Sequence, residues 1–200
     1  MWKNNHNNST IILASRSPRR VELLKQIGLD CKIYPADIDE SQLPDESPVQ
    51  YVTRLAQEKA AACVTLMAAE YQDYPVIAAD TTVALSGLVL GKPLDDNDAR
   101  DMLASLSDST HQVHTAVALN FNGGIEVLLS STNVEMMPLS AEQIEEYIAT
   151  GDHRDKAGSY GIQGLAGAWI KRIEGSYTGV MGLPIFETAA LLRKHRIITI

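Results

Sequence analysis

The sequence is short of the features that mark specialised protein classes. Only two cysteines occur, Cys31 and Cys63. Neither has a neighbour at metal-ligand spacing, so no disulfide framework is expected, and both read as buried or half-buried thiols of a reducing compartment. No apolar run reaches the ~18 residues of a membrane-spanning helix. Met1 to Thr10 is polar and rich in Asn and lacks the apolar stretch of a secretory signal. Residues 1–10 are therefore expected to be a polar N-terminal extension to a single domain over 11–200, and the expected location is the cytoplasm. Positive charge is scarce. The 17 Lys and Arg against 25 Asp and Glu leave a net charge of −8, which argues against a nucleic-acid backbone as partner while leaving room for a local basic pocket. There is no Walker phosphate loop, no Gly-x-Ser-x-Gly elbow, no repeat, no low-complexity segment and no interdomain linker.

What is present describes an ordinary soluble chain. Apolar residues make up 45% and charged residues 21% of 200, enough to bury a core without a disulfide or structural metal. Ile11 to Ala14 reads as a buried strand, followed by a Ser15-Arg16-Ser17 turn. A helix then opens with Ser17 as N-cap and Pro18 at its first position, and Gly28 ends it. Cys31 to Tyr34 reads as a strand and Asp37 to Pro48 as a loop. Val49 to Tyr71 reads as one long helix, and Pro75 to Ala79 as a buried strand ending at Asp80. Ser86-Gly87 marks a hairpin within Val83–Leu90. Asp95 or Asp96 caps a helix to about Leu106. Strands follow at Gln112–Leu119 and Ile125–Met137. Ser140 and Gln143 form a capping box for a helix that Gly151 closes. Ala168–Ile173 reads as a strand, and Pro184 opens a last helix. Hairpins mixed with crossovers predict an α/β fold on a mixed sheet.

Three stretches carry chemistry. Arg19 and Arg20 lie in the first turn of a helix, where positive side chains oppose the helix dipole unless an anion joins them. Two solvated arginines are the plain alternative. Asp80, next to Thr81, sits where strands of open α/β sheets deliver ligand-binding residues, and a carboxylate there can hold Mg²⁺ or accept a proton from water. The alternative is an Asp that caps a turn. Lys59, in the long helix, and Lys92, between Gly91 and Pro93, could neutralise moving phosphate charge. The Gly-rich segment Asp155 to Gly164 offers close backbone approach, and Gln163 in it can both donate to and accept from a base edge. No strand-to-helix turn surrounds those glycines, so they form no dinucleotide fingerprint, and a dinucleotide-dependent oxidoreductase is set aside. His111 and His114, three apart on a strand, should point to opposite faces. Like His6, His153 and His195 they read as structural.

Taken together, Ala14-Ser15-Arg16-Ser17-Pro18-Arg19-Arg20, Asp39-Glu40, Arg54 to Ala60, Ala79-Asp80-Thr81, Gly91-Lys92-Pro93, Asp155 to Gly164 and Gly182-Leu183-Pro184 resemble the Maf family of nucleotide pyrophosphatases. The likeness runs from about Ile11 to Leu192. It implies an elongated mixed-sheet α/β fold with a deep cleft between two lobes, shared with the ITP/XTP pyrophosphatases. It also implies hydrolysis of a nucleoside triphosphate between its α- and β-phosphates with a divalent cation, Mg²⁺ or Mn²⁺, and a homodimer. By resemblance Asp80 is the proton acceptor, with Lys59 and Lys92 in the catalytic set. Arg19, Thr81 and Gln163 mark the subclass acting on dTTP and UTP. Ser15, Ser17 and Arg20 are candidates to bind phosphate, and Glu40 with Asp80 to bind the metal. Neither nucleic acid nor membrane is expected as a partner. The competing expectation is a nucleotide-binding regulator of septum formation without catalysis.

Overall fold

The computed structural model describes residues 10–199. Most of the expected N-terminal extension and His6 lie outside that range. The described chain builds seven strands and six α-helices around one mixed sheet. The strands are β1 (Ile11–Leu13), β2 (Cys31–Ile33), β3 (Val76–Leu85), β4 (Leu88–Leu90), β5 (Thr110–Phe121), β6 (Gly124–Met136) and β7 (Ile170–Glu174). The helices are α1 (Pro18–Gln26), α2 (Pro48–Leu66), α3 (Asp96–Leu106), α4 (Ala141–Thr150), α5 (Tyr177–Val180) and α6 (Ile185–Lys194). The sheet order is β2-β1-β3-β5-β6-β7, with β4 also on β3. β1 runs parallel to β2 and β3, and the remaining pairs are antiparallel. The mixed-sheet α/β expectation holds.

Three apolar clusters follow from the alternation of strand side chains between faces. Ile11, Leu13, Ile77 and Ala79 point to one face and pack under α1 and α6. Ile12, Val76, Ala78, Ala116 and Ala118 point to the other, under Val52, Ala56, Ala60 and Cys63 of α2. Alanines on both sides of that contact let helix and sheet approach closely. The third cluster lies at the far end of the sheet, where Val83, Val113, Val134 and Met136 meet Leu103, Leu106, Ile144 and Tyr147 of α3 and α4.

β3 joins the two ends. On one edge it pairs with β5 continuously from Val76 to Ala84. On its other edge it pairs with β1 at Val76 and Ile77 and with β4 from Val83 to Leu85. The stretch between, around Asp80, has no strand beside it on that edge. The sheet is therefore notched, and the notch is the cleft.

Several boundaries differ from expectation: the strand expected from Ala168 begins at Ile170, after a 3-10 turn over Leu165–Trp169, and two further differences bear on the cleft and on α2. Asp80 does not end its strand. β5 goes on pairing past it, and the β-branched run Thr81-Thr82-Val83 is itself at home in a strand. What stops near Asp80 is the neighbour β1. The long helix ends at Leu66 rather than Tyr71, because Met67 turns extended (φ −64°, ψ 143°). Its last carbonyls are taken by side chains: Gln72 Nε2 donates to the carbonyls of Val64 and Met67, and Tyr34 donates to that of Leu66. The expected capping box of Ser140 with Gln143 is formed, and Ser47 with Gln50 makes a second at the start of α2.

Candidate active site

The notch opens into a cavity of about 940 Å³. All ten residues singled out from the sequence line it: Ser15, Ser17, Arg19, Arg20, Glu40, Lys59, Asp80, Thr81, Lys92 and Gln163. They arrive from six separate segments, so the sheet and its helices, not sequence proximity, assemble the set.

At the centre is Lys59. Its ammonium lies 2.6 Å from Asp80 Oδ1 and 2.6 Å from Glu40 Oε1. Lys92 approaches the other oxygen of Glu40 at 3.7 Å. Burial raises the Asp80 carboxyl above its ordinary range, with Lys59 and Arg20 pulling back. Burial works in the same direction on Glu40, but there the hydrogen bond and charge of Lys59, helped by Lys92 and Arg20, prevail and hold it low. The two neighbouring carboxyls are thus shifted in opposite directions, Asp80 up by burial and Glu40 down by its cationic neighbours.

The β1–α1 turn forms one wall. Ser17 occupies the N-cap position of α1, but its side chain makes no capping bond. Its N–H donates to Ser15 Oγ instead, at 3.2 Å. Arg20 donates to Ser15 Oγ (3.0 Å) and to the carbonyl of Gly182 (2.8 Å). Desolvation lowers the Arg20 pKa, with Asp80 opposing that shift. A buried guanidinium bonded only to neutral groups is a receptor for an anion. Among the described residues Arg19 and Gln163 line the cleft without a side-chain hydrogen bond, free to meet a ligand.

The opposite wall is the Gly-rich segment. Gly158 N donates to Gly91 O (3.0 Å), tying this segment to the turn that carries Lys92. Gly158 needs to be glycine: its φ is +67°, and a Cβ would stand 2.9 Å from Val83. Asp152 accepts from Tyr147 (2.9 Å) and pairs with Lys156 (3.0 Å), and the loop around Gln163 is moulded over this post.

Sequence reasoning passed over the residues that fix Glu40. It sits in an irregular loop, yet Tyr51 donates to its carbonyl at 2.8 Å. Arg54 spreads over Glu46 (2.7 and 2.8 Å), the Ser41 carbonyl (3.0 Å) and Glu58 (3.1 Å). A Tyr and an Arg three apart in the first turns of a helix after an acidic loop were the available signal.

The donor set suits a hard divalent cation. The carboxylates of Asp80 and Glu40 both lie against the Lys59 ammonium and each keeps a second oxygen, and a cation such as Mg²⁺ is commonly held by one or two carboxylates together with phosphate oxygens. Among the described residues no group of three or more His, Cys, Asp or Glu forms a cage by itself.

Fold and cleft define a class: a mixed α/β protein whose notched sheet gathers cations and two carboxylates around a pocket for an anionic ligand. The family model described as Maf-like protein matches residues 10–195, and the chain belongs to that family. It is 57% identical over 187 residues to the dTTP/UTP pyrophosphatase of Methylobacillus flagellatus, covering 94% of this chain and 93% of that one. It is 51% identical over 187 residues to the dTTP/UTP pyrophosphatase of Chromobacterium violaceum, covering 93% and 94%. The solved structure of the Staphylococcus aureus Ham1 protein overlaps with a TM-score of 0.45 at 17% identity, over 64% of this chain and 71% of that one. No helix among the described residues is long and apolar enough to cross a membrane.

Proposed function

We propose that this chain hydrolyses nucleoside triphosphates, dTTP and UTP in particular, to the monophosphate and pyrophosphate, with a divalent cation, in the cytoplasm. The observation that carries the reading is the Asp80–Lys59–Glu40 array beside the buried Arg20, in a cleft large enough for a nucleotide. The names borne by the relatives at 51 and 57% identity supply the substrate class.

Asp80 engages Lys59 through Oδ1, leaving Oδ2 to orient a water and accept its proton as the water attacks the α-phosphorus. A carboxyl raised by burial is a better base than an exposed one. Arg20 and Arg19, with the free N–H groups at the start of α1, bind phosphate oxygens. Lys59 and Lys92 balance the charge that grows on the departing pyrophosphate. Glu40 and Asp80 would hold the cation, which when bound screens the polyphosphate charge and polarises the bond that breaks. Thr81 and Gln163 meet the base.

Pyrophosphate release from a panel of nucleoside triphosphates, with Mg²⁺ or Mn²⁺, tests the reading. Release is expected from dTTP and UTP, and Asp80→Asn is expected to lower turnover by about 10²–10⁴-fold while nucleotide binding persists. Tight binding without release from any nucleotide would instead point to a regulatory binder.

A further inference from the structure

Thr81 and Thr115 face each other across the β3–β5 ladder. Their hydroxyl oxygens are 3.0 Å apart, a contact in which either could in principle donate. A third group settles the direction. Thr115 Oγ1 lies 2.7 Å from the carbonyl oxygen of Gly179, and a carbonyl can only accept. Thr115 has a single hydroxyl proton, so that proton goes to Gly179. Toward Thr81 it can then offer only a lone pair, and Thr81 must donate to it. The chain of bonds runs one way, from Thr81 through Thr115 to Gly179.

The Gly179 carbonyl is itself held. Ser176 Oγ accepts from Gly179 N at 3.0 Å, and the carbonyl also receives Gly182 N at 2.9 Å. Thr115 is fully buried, so no water competes to turn its hydroxyl. Thr81 borders the cleft, and with its proton committed inward its oxygen faces a ligand as an acceptor only.

We propose that Thr115 is a specificity-determining residue that acts through Thr81: it fixes Thr81 as an acceptor and so favours bases carrying a ring N–H at the centre of their pairing edge. Thymine and uracil carry that N–H at N3. Cytosine presents a lone pair at the same place, which would confront the lone pair of Thr81. This deepens the nucleotide reading above and rests on it. It provides a means to distinguish pyrimidines of nearly equal size, where shape alone gives little.

The test compares kcat/KM for dTTP and dCTP in the wild type, Thr115→Val and Thr115→Ser. Valine keeps the shape but removes the acceptor, so the Thr81 hydroxyl can rotate and offer its proton to cytosine. The dTTP:dCTP ratio is expected to be well above one in the wild type. It is expected to fall on the order of tenfold in Thr115→Val and to be kept in Thr115→Ser. A purely structural role would depress both substrates together and leave the ratio unchanged, which would overturn the inference. A wild type that hydrolyses dTTP and dCTP alike would also overturn it while leaving the hydrolase reading intact. No hydrolysis of any nucleotide would remove both.

Discussion

His111 shows how a single buried side chain sets a response of the whole protein to acid. It is almost fully buried, its Nε2 is 2.6 Å from the Tyr160 hydroxyl, and its Nδ1 has no hydrogen-bond partner. Burial depresses its pKa from 6.5 to about 4. The unfolded chain therefore takes up this proton before the folded one does. The stability His111 contributes is complete above about pH 6.5 and is lost as pH falls toward 4. A histidine-specific NMR titration should show the His111 resonances unmoved from pH 7 to 5; movement in that window would contradict the burial. The sequence made this residue legible as structural, because two histidines three apart on a strand cannot share a ligand. It could not reveal Tyr160 as the partner, 49 positions away. The same applies to Thr115. A threonine in an alternating strand carries no mark of what stands opposite it until the register is known.

Among the elements, those with local signals were readable. Capping residues, the Ser86-Gly87 turn and period-two alternation placed α4, the β3–β4 hairpin and β5 with β6. Elements fixed by distant partners were not. α5 is four residues long, too short for any period, and the end of α2 depends on Tyr34 and Gln72. The loop before α2 is the clearest case. Its residues give no regular pattern, yet Arg54 pins it to the helix, and the Arg54 bond holds Glu46 down to about pKa 2. Lysine at position 54 keeps the charge but not the planar fork that serves three partners at once. Arg54→Lys should therefore speed backbone amide exchange across residues 39–46 and lower turnover, with exchange in β5 unchanged. Protection of the loop equal to the wild type would show that the fork is dispensable.

For the molecule as a whole, charge is unevenly divided. The chain carries −8, yet the cleft is lined by seven Lys or Arg against five Asp or Glu. A triphosphate is repelled at a distance and drawn in at the mouth, so a cation that masks its charge and the basic lining must act together. Raising salt should screen the basic lining and increase KM for the nucleotide more than it changes kcat; a KM flat from low to high ionic strength would count against a role for the lining in capture. The candidate residues were all legible as types, but their convergence was legible only through the family resemblance and not from patterning, since it depends on a strand edge left bare between two neighbours. That bare edge lies on a strand whose opposite side is laddered to β5 without a break from Val76 to Ala84. The two jaws of the cleft are therefore rivets on one plate. Like the gape of a solid spanner, the width between them is set when the chain folds, so guests are gauged against a fixed opening, and only the loops at its rim are left to adjust to what has entered.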